Sequence, residues 1–195
     1  MKYPKNWMQV SIGMYAQLYE LEQVRKDLDT YDYYGRKVSI LCNIGEDEAM
    51  NVPMPEIKRI LAATEFLSTP PKNKFINEFV VGGKWFDVNP DMSAVSPAQF
   101  ISHSTYTKDN INFWQNIHRV MSVWCIERGK TFKDQDNDEV AKLFWNELPM
   151  SVVFPLATFF LTVWEQLPET IQTYSSKTRT KLTKELTQYL QNGNS

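Results

Sequence analysis

The chain lacks a catalytic signature and is poor in the residues from which most sites are built. Its 195 residues include 2 His, 2 Cys and 7 Gly, with a formal net charge of -2. No two of the histidines and cysteines lie close enough to form a ligand pair, which excludes a standard zinc centre. His118 and Cys125 fall two turns apart on one expected helix face, where a core-edge histidine is the simpler reading. Gly129-Lys130-Thr131 ends like a phosphate loop, but Trp124 stands where the first glycine belongs. The acidic run from Asp134 to Glu139 is not a calcium loop. Glu139 and Trp145 occupy the positions that would require glycine and the bidentate glutamate. Its acids suit a helix start. Nucleophilic catalysis would need Cys42 or Cys125 beside a histidine, and a single sequence carries no signal that pairs them. These absences point away from an enzyme, and nothing calls for a cofactor or a metal.

A near-neutral balance gives no overall attraction to nucleic acid. One segment departs from it. After Pro168, Lys177, Arg179, Lys181 and Lys184 outweigh Glu169 and Glu185. A solvated helix face explains them, with contact to an acidic partner or DNA as the alternative. Two cysteines and no apolar stretch behind Met1-Lys-Tyr-Pro-Lys5 predict a reducing cytoplasm without disulfides. From Leu148 to Trp164 no residue is charged. That run is shorter than the roughly 20 residues of a membrane span, and it contains Pro155, so a buried core helix is expected.

Aromatic residues are plentiful: 6 Trp, 9 Tyr and 11 Phe. They can fill a core or anchor a partner. The length suits a helical subdomain over 1–68 followed by a second over 75–195, or one single domain. The expected fold class is mainly α, a helical bundle-like domain with one inserted β-hairpin at about 75–88.

Helical periodicity supports most of the chain. Ser11 caps a helix with Met14, Tyr15, Leu18 and Leu21 on one face. Thr30 to Cys42 forms a second, broken by Asn43-Ile44-Gly45, and Glu46 to Met50 a single turn. Pro53 and Pro55 open a third, lined by Ile57, Ile60, Leu61, Thr64 and Leu67. Residues 68–74, with Pro70-Pro71, read as a linker. Ser96-Pro97 starts a helix of about ten residues. Asn110 to about Arg128 reads as the longest, apolar nearly all round and central to the core. A loop over 129–137, a short helix with Val140, Leu143, Phe144 and Leu148 inward, the apolar helix 149–167 and a last helix after Pro168 complete the pattern.

The exception is the stretch Phe75–Val88, where two strand-like runs flank Gly82-Gly83. A two-residue Gly-Gly loop fixes the register by counting. Val81 faces Lys84, Val80 faces Trp85, Phe79 faces Phe86 and Glu78 faces Asp87. Phe75, Phe79, Phe86 and Val88 are expected inward. Val80, Trp85, Glu78 and Asp87 are expected on the outer side, where the opposed carboxylates need solvent or a basic partner. A lone hairpin is marginal in water, so it must lean on a helix or gain strands from a neighbouring subunit.

Four stretches together carry a resemblance. They are Trp7 with Val10-Ser11, Tyr15 and Leu18; Lys37 to Leu41 with Glu46-Asp47-Glu48 and Pro55-Glu-Ile57; Gly83 to Val88 with Ser96 to Ile101; and Phe159-Phe160-Leu161. In their order the chain resembles small morphogenesis proteins of tailed bacteriophages that infect Bacteroidetes, crAss-like phages included. The resemblance implies a non-enzymatic, tail assembly chaperone-like role in the host cytoplasm. Its partners would be phage tail, tape-measure, portal or neck proteins. One alternative is a structural component kept in the virion as a multi-copy ring, hence a homo-oligomer. A second is a cytoplasmic enzyme or nucleic-acid-binding module.

Overall fold

The computed structural model describes residues 1–71, 75–88, 95–107 and 113–160. The protein is mainly helical, with a small three-stranded antiparallel sheet set among the helices. Met1–Leu156 form one compact unit and Ala157–Ser195 another.

Local chemistry sets the helix starts. In α1 (Ile12–Gln23) the Ser11 hydroxyl accepts from the Met14 N–H at 3.2 Å. In α2 (Thr30–Cys42) the Asp29 carboxylate accepts from the N–H groups of Tyr31 and Asp32, at 2.7 and 3.0 Å. Each bond meets an orphan donor of the first turn. Asn43, at φ 51°, adopts the left-handed conformation that ends α2. The acidic turn α3 (Glu46–Met50) follows, and then α4 (Met54–Ala63) with Pro55 in its first turn. Leu18, Val38, Leu41, Ile57 and Ile60 close one apolar cluster among these elements.

The later elements share packing with the first. α5 (Pro97–Thr107) starts from a capping box: the Ser96 hydroxyl accepts from the Gln99 N–H, and the Gln99 side chain accepts from the Ser96 N–H. α6 (Phe113–Trp124) packs on α5, on α1 and on α7 (Asn137–Glu147). Asp136 caps α7 by accepting from the Glu139 N–H at 3.0 Å, as the acidic run implies. Residues 150–160 are also helical. An aromatic group joins these parts, with Phe154 5.1 Å from Trp7, 5.2 Å from Tyr15 and 5.3 Å from Trp114, ring centre to ring centre. Trp7 and Trp124 are buried and fill the core.

β1 (Glu78–Val81) and β2 (Lys84–Val88) pair in the register expected from the Gly-Gly loop. Gly82 and Gly83, at φ 55° and 71°, supply the two positive φ angles of that turn. Phe79, Val81, Phe86 and Val88 face inward and are buried. Phe86 lies 5.6 Å from Phe79 and 4.9 Å from Phe144 of α7.

Two expectations are corrected. Phe75 precedes β1 and is exposed rather than inward, because the strand begins at Glu78 and its last ladder bond is at Asn77. The long helix stops at Trp124, and Cys125–Glu127 form a third strand, β3, antiparallel to β2. Periodicity alone reads Cys125-Ile126 as a further apolar turn. What decides the matter is β2, whose Trp85 carbonyl accepts from the Arg128 N–H at 2.8 Å. The hairpin gains its third strand from its own chain.

Candidate interaction surface

The outer face of the sheet carries the side chains that sequence reasoning singled out. Val80 is 50% exposed and Trp85 47%, and they are cross-strand neighbours. Glu78 and Asp87 lie directly opposite each other beside them. Two like charges at that spacing repel, and the structure supplies the cation that offsets them. Arg128, just beyond β3, places Nη2 2.5 Å from Glu78 Oε2 and 2.5 Å from Asp87 Oδ1. Its Nε donates to the same Asp87 carboxylate at 3.2 Å. The guanidinium also covers the Trp85 ring, 4.7 Å from its centroid, a cation–π arrangement. The hydrogen bond from Arg128 holds the Asp87 carboxyl below its ordinary range, and both carboxylates keep the guanidinium protonated. One arginine thus covers the Trp85 ring and bridges the two carboxylates, offsetting one of their two charges.

Arg128 was not among the residues expected to matter. The opposed Glu78 and Asp87 are the available signal, since they require a basic group, but helical periodicity places Arg128 at the end of a helix. The second missed residue is Gln135, which is buried. Its Oε1 accepts from the Glu127 N–H at 2.8 Å, and its Nε2 donates to the Ser122 carbonyl at 2.9 Å and, at 3.4 Å, to that of Cys125. Cys125 and Glu127 turn these groups away from β2, so Gln135 covers the outer edge of β3. Nothing in the local sequence marks it. Lys177, Arg179, Lys181 and Lys184 lie outside the described residues.

The remaining clefts offer little for covalent chemistry. One of about 640 Å³ is lined by Gln115, His118, Arg119, Asp138, Lys142 and Trp145. His118 lies edge-on to Trp145, ring centres 4.8 Å apart. Burial, and then the Arg119 charge, pull its pKa down to about 4. Burial raises the Cys42 and Cys125 thiols above their ordinary range, so neither is a ready thiolate. Among the described residues no three His, Cys, Asp or Glu gather to hold a metal ion. No helix among those residues is long and apolar enough to cross a membrane.

Comparison with known proteins finds no matching family model, no matching curated protein and no matching solved structure.

Proposed function

We propose that the protein is a non-enzymatic bacteriophage morphogenesis factor that acts by protein–protein contact in tail or neck assembly, in the manner of a tail assembly chaperone. The observation that supports this reading is the exposed Trp85, covered by the Arg128 guanidinium on the outer sheet face. Tryptophan and arginine dominate interface hot spots, and a ring held against a cation has less freedom to lose on binding. Val80 adds apolar area beside it, and Glu78 and Asp87 form a polar rim. The partner would be another phage tail, tape-measure, portal or neck protein.

The test is complementation of a phage that lacks the protein. Trp85→Ala is expected to weaken partner binding about 30-fold or more, as loss of a hot spot does, and to lower particle yield while the far-ultraviolet circular dichroism stays unchanged. Arg128→Ala should act in the same direction, because it frees the ring and leaves the two carboxylates opposed. Normal particle yield with both variants would sink the reading. Mass spectrometry of purified particles separates a chaperone, which is absent from them, from a structural ring component, which is present in many copies.

A further inference from the structure

The sheet has two edges, and they are treated differently. Along β2, residues 84, 86 and 88 bond to β1, and 85 and 87 bond to β3. This parity follows from the two-residue turn and from the bonds Val88 N–H to Asn77 carbonyl (2.7 Å) and Arg128 N–H to Trp85 carbonyl (2.8 Å). The outward groups of β3 belong to Cys125 and Glu127: Gln135 meets the Glu127 N–H and, at 3.4 Å, the Cys125 carbonyl, and the Lys130 N–H meets the Glu127 carbonyl. The outward groups of β1 belong to Glu78 and Val80. Among the described residues, no main-chain hydrogen bond reaches them. Among the described residues, one edge is closed and the other is open.

We infer that the occupant of the open edge is a second copy of this chain, paired β1 to β1 in antiparallel fashion across a twofold axis. One open edge per copy permits only this self-pairing, since a head-to-tail stack would need the edge that Gln135 closes. Charge selects the register. Setting Glu78 against Glu78 opposes two carboxylates. Setting Val80 against Val80 drives Glu78 onto the partner's Gly82 in the turn. Setting Glu78 against Val80 separates the carboxylates, makes both outward pairs hydrogen-bonded and places Phe79 opposite Phe79 on the inner side. Each Glu78 keeps its own Arg128. The exposed Val80 and Trp85 of one copy then lie diagonal to those of the other, so the two copies form one apolar strip across the axis. The inference concerns the edge of the sheet, not what its outer face binds, and stands apart from a role in phage assembly.

The test is sedimentation velocity of the full chain from about 1 to about 200 µM. With four main-chain bonds across the axis, a dissociation constant on the order of 100 µM is expected. The weight-average mass should rise from 22.8 kDa toward twice that value. Val80→Pro removes the outward N–H without touching a bond to β2, and Val80→Lys places a charge at the edge. Both variants should sediment as monomers throughout, with at least a 30-fold loss of self-affinity and unchanged circular dichroism. If Val80→Pro fails to fold, Val80→Lys decides. A wild type that stays monomeric, an assembly that grows past two copies, or a folded variant that dimerises like the wild type would each overturn the inference.

Discussion

Phe86→Ala is expected to lower the free energy of unfolding by about 3–5 kcal/mol, the usual loss for a large aromatic removed from a core. Phe86 sits on the middle strand at 0% exposure, between Phe79 and Phe144. The hole would open where the sheet meets α7, and neither neighbouring ring can collapse into it without leaving its own contacts. In urea the midpoint should fall by about 2 M, for a slope of about 2 kcal/mol/M. The adjacent Trp85→Ala provides the contrast. It removes a larger ring one residue away, yet should cost about 1 kcal/mol or less, because the ring is half in solvent already. Equal losses for the two variants would mean that the inner and outer faces are assigned wrongly.

Acid is expected to have an effect of similar size. His103 is buried, and its Nδ1 accepts from the Trp124 indole N–H at 2.8 Å. Burial pulls its pKa from 6.5 down to about 4, and His118 behaves alike. In the unfolded chain each would titrate near 6.5. Between these values the unfolded state binds more protons than the folded one, so stability falls as the pH falls. The contribution is complete above about pH 6.5, is lost progressively down to about pH 4, and changes no further below that. For His103 the loss is about 3 kcal/mol. The contribution of His118 is smaller, since its ring borders an open cleft and solvent screens part of it. Asp87, held low by Arg128, acts in a separate window below the ordinary carboxylate range. Urea unfolding at pH 7.5, 6.0 and 5.0 should show the decline. His103→Gln, which retains an acceptor for the indole, should remove more than half of it. A flat profile between pH 6.5 and 4.5 would mean that the histidines are not buried in their neutral form.

How legible each part was depended on how local its cause is. The hairpin register could be counted from Gly82-Gly83 because a two-residue loop leaves no freedom in the ladder. The helix starts at Ser11 and Ser96, and the acidic cap before α7, were readable because a cap is satisfied within three residues. The outward placement of Val80 and Trp85 followed from the register. β3 was not legible. Cys125 and Ile126 continue an apolar helical stripe, and only the free side of β2, 37 residues earlier in the chain, turns them into a strand. Arg128 was misplaced with it, and so the cation between Glu78 and Asp87 was sought outside the molecule. Phe75 went wrong for a related reason: counting gives its parity, but not whether the ladder extends that far. Gln135 had no signal at all, since a polar residue in a loop announces neither burial nor the edge it covers.

The capped edge has a meaning in the language of polymer chemistry. A monomer with one reactive end terminates growth, and a monomer with two propagates it. Gln135 makes the sheet monofunctional. Replacing it by alanine exposes the N–H of Glu127 and the carbonyl of Cys125, which offers a β1 strand two groups of a second end while the Glu127 carbonyl stays with the Lys130 N–H. Gln135→Ala is therefore expected to do more than destabilise the fold. At high concentration it should turn a species that stops at two into one that elongates, seen as light scattering and thioflavin-positive material where the wild type gives none. A single side-chain amide would then set the length of what this chain can build from itself.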